Sequence, residues 1–436
     1  SRSVRYKISF LSKPIHTTPT KKQRTLIIMY MMGLYTSCLM QSKVSLKRFL
    51  LFIVMGICLL FISCNTKIPT YNETEEDSGL TFEYSEKEDG YIITQFVTNN
   101  SDVVIPEVYN NKNVYAIAPN VFADNSRIHH VKIPSSIKEI GEKCFYNCIN
   151  LKSITIESKD DISIGQACFM GCTNLISVEI SGGLLCLPDR IFAACTSLES
   201  VTLPDSLTII GERAFVGCAS LISLDIPDSV SSIGEFAFMN CSRLQSISLP
   251  ESLEAIANNT FSKCTSLFEI YVPATVTTID CSAFSSMPSL ERIEVDTDNP
   301  VYMSVDGMLV GKETAELLLY PSGKIEDKLI LPSSITLIGE IAFRGDNKLR
   351  ELILHDGVTE IKNQGGIGCI RLESLVILSP DVIIHPDAFY RGGITYKNGI
   401  ETNRTQYTYP FTIFCLPEST STQYAENNNI TFELIE

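Results

Sequence analysis

The chain contains no tryptophan and only five histidines, and its first 63 residues hold neither aspartate nor glutamate. Each absence narrows the function. With no clustered histidines and no Cys-x-x-Cys pair, a zinc site has no ligand set to build on. Gly307-x-x-x-Gly311-Lys312-Glu313 has the wrong spacing for a phosphate loop and no Ser or Thr after the lysine. No nucleophile–base or carboxylate pair stands apart from the repeats described next, so neither an enzyme nor a bound cofactor or metal is expected. The missing tryptophan leaves the core to Ile, Leu, Val and Phe, in a chain that is 44% hydrophobic. The acid-free first 63 residues carry ten Lys and Arg, so the remainder of this −15 chain has a balance of −25. Such a polyanion repels nucleic acid and anionic lipid surfaces.

What is abundant is repetition. Phenylalanine recurs at 122, 145, 169, 192, 215, 238, 261, 284, 343 and 389, mostly in steps of 23. A fixed period in the twenties is the signature of a solenoid, in which each repeat packs only on its neighbours. The step of 46 before Phe389 is two periods with Gly366 in the marker slot, and the step of 59 before Phe343 is two periods plus thirteen residues. An insertion therefore lies near residues 296–331, and Asp306-Gly307 between alternating residues predicts a hairpin there. Within each coil a Leu-x-x-Ile-x-Ile segment (Leu151, Ile154, Ile156) predicts a short strand buried on one face. Proline ends it at 134, 204, 227, 250 and 273, since it cannot extend the ladder. A second apolar pair follows (Val230, Ile233), then a glycine whose free backbone is expected to open the next corner.

The register also judges residues that invite a chemical reading. His129-His130, near Asp124 and Glu139, fall at solvent or corner positions of the first repeat strand. Asp205, Asp228 and Glu251 recur after the prolines as a solvated edge. Cys148, Cys172, Cys195, Cys218, Cys241 and Cys264 each follow the marker by three residues, so they stack as a ladder. Small, weakly polar and usually buried, they are expected to be free thiols rather than disulfides. Cys144 and Cys168, equivalent positions of adjacent coils, are the pair best placed to bond if any do.

Ahead of the repeats, Lys43, Lys47 and Arg48 precede an apolar run from Phe49 to Ile62 that ends in Ser63-Cys64. That is the layout of an export signal, and the run is short for a membrane span. Phe61-Ile62-Ser63-Cys64 resembles a bacterial lipoprotein box, which implies lipidation at Cys64; an ordinary secretory signal is the alternative. Met40 is a natural start, making residues 1–39 upstream sequence, 40–63 the signal and 64–79 an acidic tether.

The repeat as a whole, Ile-Gly-x-x-Ala-Phe-x-x-Cys-x-x-Leu-x-Ser-Ile-x-Ile-Pro-x-Ser-Val, resembles the BspA-type leucine-rich repeat of Bacteroidetes-like surface lipoproteins, over about residues 80–436. The resemblance implies a β-rich, right-handed leucine-rich-repeat solenoid of 23-residue coils with few or no helices. The layout is an N-terminal β cap at 80–120, the coils at 121–395, and a closing coil and cap at 396–436, with Thr431–Leu434 as a last strand. It further implies an outer-membrane lipoprotein at the cell surface, with the periplasmic face as the alternative, whose only membrane attachment is the lipid. The implied work is adhesion to a protein or glycoprotein, from host matrix or another bacterium. An envelope spacer and a glycan-binding accessory protein are the competing readings. Along the outward strand face Ser153, Ser177, Ser200, Ser223 and Ser246 form a small polar ladder. In the next register it changes to Glu269 and Arg292, with Phe268, Tyr271 and Glu294 nearby, and Tyr302, Glu351 and Ile353 beyond. Exposed aromatic and arginine side chains are typical anchors of protein interfaces, so these residues are the candidate contact set.

Overall fold

The computed structural model describes residues 79–97, 101–345, 348–389, 394–397, 400–404 and 411–435. Cys64, the signal, the upstream segment and nearly all of the tether lie outside them, as do residues 405–410 of the closing region. Each coil contributes a longer first strand and a two-residue second strand, and equivalent strands of successive coils pair in parallel. Thus Ser153, Ser177 and Ser200 are register partners along one sheet, while Cys186, Ile209 and Ser232 are partners along the other. In the first strands, Ile154, Ile156, Val178 and Ile180 point inward and are buried, because successive residues face opposite sides.

The marker phenylalanines occupy the corner that closes the coil. Eight rings, from Phe122 to Phe284, stack with centroids 4.7 to 6.4 Å apart and planes within 29° of parallel. Around each ring the backbone does something the repeat pattern does not announce. From Phe122 to Phe261, the residues two before and two after the marker adopt a left-handed conformation, as in Arg190 (φ 57°) and Ala194 (φ 60°) flanking Phe192. The effect is to aim alternate N–H groups along the stack. Arg190, Phe192 and Ala194 donate to the carbonyls of Glu212, Ala214 and Val216 of the next coil. A left-handed residue other than glycine costs about 1–2 kcal/mol, and three inter-coil hydrogen bonds at the corner offset it.

The glycine of the Ile-Gly pair has a different reason from the one expected. It is not left-handed. A Cβ on Gly165 would lie 2.3 Å from the nitrogen of Glu142, and one on Gly211 would lie 2.7 Å from that of Asp189. The absent side chain lets the neighbouring coil's backbone approach; the corners are turned by the residues flanking phenylalanine instead.

Strands flank the coils at both ends of the described residues. Leu80–Ser85 runs antiparallel to Gly90–Phe96, which pairs in parallel with Lys112–Ile117. At the other end Thr412–Cys415 pairs with Thr431–Leu434. Between those two strands lies Thr420–Asn428, the one α-helix among the described residues, capped by Ser419 and by left-handed Asn429. A short 3-10 turn spans Cys281–Phe284.

The insertion is a hairpin, Tyr302–Val305 with Met308–Gly311, turned at Asp306-Gly307, followed by Glu316–Leu319. Met308–Gly311 is buried at all four residues. Leu309 joins the core formed by the preceding coils, whereas Met308 and Val310 join that of the coils after it. The hairpin is therefore a wall between two stretches of core. The marker slot in its coil is filled by Tyr320, whose ring lies 5.2 Å from that of Phe343. At Gly366 the slot is empty, and the ring of Phe389 reaches in to 2.2 Å from where a Cβ would stand.

Candidate functional site: the outward face of the first strands

Strands Glu269–Val272 and Arg292–Val295 pair in parallel, with Glu269 opposite Arg292 and Tyr271 opposite Glu294. Alternation sends Ile270, Val272 and Ile293 into the core and leaves Glu269, Tyr271, Arg292 and Glu294 outward. Phe268, just before the first strand, is 40% exposed, and Tyr271 is 46% exposed. The Arg292 guanidinium lies 5.5 Å from the centroid of the Phe268 ring, and its Nε is 3.8 Å from Glu269 Oε2. Both charges are exposed, so the pair adds little stability and serves to fix the side chains. The Tyr271 hydroxyl donates to Asp296 Oδ2. That bond, with some desolvation and the charges of Asp296, Glu251 and Asp298, pushes the phenol up to about 12. The same bond holds the Asp296 carboxyl below its ordinary range. Asp296 is fixed further by accepting from the Asp298 N–H at 2.8 Å.

Five of the candidate residues therefore form one patch: Phe268, Glu269, Tyr271, Arg292 and Glu294. The other three do not join it. Gly307 at the hairpin tip accepts from the Ile293 N–H at 2.8 Å and stands against Arg292, where a Cβ would be 2.8 Å from Arg292 Cβ. The tip thus occupies the flank of Arg292–Val295, and the first strands resume as a separate sheet beginning at Lys328–Ile330. Glu351 and Ile353 lie on that sheet, Glu351 paired to Lys328 at 3.0 Å and Ile353 between Ile330 and Val376. Tyr302 belongs to the sheet of second strands, and its half-buried hydroxyl accepts from the Ile279 N–H at 3.0 Å. Asp296 and Asp298 were not among the sequence candidates. Their signal is the acidic turn Asp-Thr-Asp-Asn-Pro that ends the strand.

The remaining chemistry is inward. Each ladder thiol donates to the carbonyl of the preceding coil's marker, from Cys148 to Phe122 at 3.0 Å through Cys264 to Phe238 at 3.2 Å. Cys144 and Cys168 are likewise buried and free. Burial pushes the thiols of Cys195 and Cys264 up to about 12. Since the thiolate is the reacting form, these groups are inert while folded. Among the described cysteines only Cys186 is exposed, with Cys281 intermediate. Brief alkylation at pH 8 followed by peptide mapping is expected to modify Cys186 first, and the ladder only after denaturant is added. A ladder cysteine labelled as fast as Cys186, or recovered in a disulfide, would contradict this. His130 Nδ1 lies 2.7 Å from Ser153 Oγ on the exposed strand face. Among the described residues no group of His, Cys, Asp and Glu is placed to hold a metal ion, and no helix is long and apolar enough to cross a membrane.

The family described as BspA type leucine rich repeat region matches in six copies, over residues 98–221, 186–301 and 320–411. The matches span more than half of the chain. The chain belongs to the BspA-type leucine-rich repeat family. The matches to BspA-type repeats break off at 301 and resume at 320, so they bracket the hairpin wall. A leucine-rich cell surface protein from Faecalibacterium prausnitzii aligns with TM-score 0.50 at 24% identity, covering 85% of this chain and 96% of its own. A leucine-rich repeat protein from Bacteroides ovatus aligns with TM-score 0.52 at 22% identity, covering 82% and 98%. At these identities the two structures speak for the BspA-type fold. No curated protein matches the sequence.

Proposed function

We propose that this BspA-type protein is a cell-envelope binding protein, tethered by lipid at Cys64. It would hold a protein or glycoprotein ligand, from host matrix or a neighbouring bacterium, against the outward face of its first strands. The observation that carries the reading is the change in that face. Serine at 153, 177, 200, 223 and 246 gives way in register to Glu269 and Arg292, with the exposed rings of Phe268 and Tyr271 beside them. Aromatic and arginine side chains are the residues most enriched among interface anchors, so a strand face bearing them is suited to binding. The Faecalibacterium protein of the same fold is a cell surface protein. The same address is proposed here because of the basic, apolar and Ser-Cys order of residues 43–64.

Two experiments test this. Mass spectrometry of the mature protein is expected to find lipid on Cys64, and protease added to intact cells is expected to remove the repeats; an unmodified peptide crossing Ser63-Cys64 would remove the anchor from the proposal. Capture of matrix proteins by the wild type is expected to fall about tenfold or more for Tyr271→Ala with Arg292→Ala, the loss typical of two anchor residues. Unchanged capture would move the function off this patch and favour the spacer reading.

A further inference from the structure

The patch does not present a neutral aromatic surface. Glu294 faces Tyr271 across the strand pair, and Glu251, Asp296 and Asp298 are near enough to raise its phenol. Several outward carboxylates are matched by the chain's own cations: Lys132 with Glu157, Lys328 with Glu351, Lys362 with Glu316. Those around Tyr271 are not. Among the described residues Glu251, Glu294, Asp296 and Asp298 form no ion pair, and Lys312, close by, gives its ammonium to the main-chain oxygens of Thr297 and Asn299. One strand position away the molecule displays the arrangement completed. Phe268 and Glu269 together cradle a guanidinium, that of Arg292, over the ring and beside the carboxylate. Tyr271 with its carboxylates is a second ring-and-carboxylate cradle, exposed and without a cation.

We infer that the ligand presents a lysine- or arginine-rich polypeptide segment to this patch, with one cationic side chain seated on the Tyr271 ring among Glu251, Glu294, Asp296 and Asp298. The inference rests on the reading of the patch as a binding surface and names the chemistry of what binds. Ring faces attract cations through their quadrupole, and adjacent carboxylates add directional hydrogen bonds to a guanidinium. The Tyr271–Asp296 hydrogen bond fixes the ring before the ligand arrives, so less side-chain entropy is lost on binding. A net-negative body also steers a basic segment toward the patch from a distance, with a rate that falls as salt rises.

The test uses fluorescein-labelled octa-arginine titrated into the full-length protein and followed by anisotropy, with labelled octa-glutamate as the control probe. Tyr271→Leu with Asp298→Asn is expected to weaken octa-arginine binding about tenfold. Asp205→Asn with Asp228→Asn, which removes two exposed acids from another edge, is expected to change it less than about twofold. All four positions are at the surface, and matching thermal melts confirm that the variants fold. Equal weakening in the two variants would show only attraction to a polyanion and would overturn the inference. The two readings fail separately. Loss of matrix capture in Tyr271→Ala with Arg292→Ala, alongside octa-arginine binding indifferent to Tyr271, keeps the patch and discards the cationic ligand. The converse keeps the cradle and discards the adhesive role.

Discussion

Phe215→Ala is expected to lower the stability of the solenoid by about 3–5 kcal/mol, the range for emptying a fully buried aromatic site. Phe215 is completely buried and stacks on two rings, Phe192 at 5.4 Å and Phe238 at 5.3 Å. The corner backbone around it is pinned to both neighbouring coils, so the cavity has little freedom to collapse. Phe215 N donates to Ala237, Phe192 N donates to Ala214, and the Cys241 thiol donates to the Phe215 carbonyl. In a repeat array stability is roughly a sum of coil and interface contributions, and this change weakens two interfaces at once. Denaturant titration followed by circular dichroism reads the effect. A loss below about 1 kcal/mol would mean that the ring stack is filler rather than the spine of the fold.

Asn299→Ala is expected to cost a similar amount, on the order of 3–5 kcal/mol, for a different reason. Asn299 is completely buried and makes four hydrogen bonds. Its Nδ2 donates to the carbonyls of Pro273 and Val276, each at 2.9 Å, and its Oδ1 accepts from Val301 N at 2.9 Å and Tyr302 N at 2.8 Å. It ties the start of the hairpin to the coil before it. Truncation removes four hydrogen bonds; the Pro273 carbonyl keeps the Val276 N–H at 3.3 Å, and each of the other groups loses about 1–3 kcal/mol in solvation where it is shielded and water does not replace the amide. Asn299→Asp retains the acceptor but aims a carboxylate oxygen at two carbonyl oxygens, so it is expected to be no better tolerated. A full rescue by aspartate would show that only the two accepted bonds matter.

Asn299 shows how far the sequence could be read. Its neighbours Asp298 and Pro300 mark a turn, yet nothing in the string says that the asparagine faces inward. The place it takes is held in regular coils by a hydroxyl two residues after proline. Ser206 donates to Gly182 and Leu184, Ser229 to Asp205 and Leu207, and Thr275 to Glu251 and Leu253. Period, strand face and the hairpin turn were legible because they follow from spacing and alternation. Tyr320 is hidden by the phenylalanine pattern, because a tyrosine fills the marker slot 23 residues before Phe343. The helix Thr420–Asn428 escaped because its residues are mostly polar, although Ser419 is a good N-cap and Asn429 a good left-handed C-cap. As for the candidate site, outward residues on adjacent strands were predictable from register. That Glu351 and Ile353 lie on another sheet was not, because it depends on which side of Arg292–Val295 the hairpin tip lands.

That hairpin has a consequence for how such a chain can change length over evolution. A uniform solenoid can gain or lose a coil anywhere, because each coil contacts only its neighbours. Here the buried strand Met308–Gly311 gives one set of side chains to the coils before it and another to those after. A coil can be duplicated or deleted on one side while the wall keeps the packing on the other unaltered. The patch at 268–294, set directly against the wall, keeps its geometry while the array on the far side lengthens or shortens.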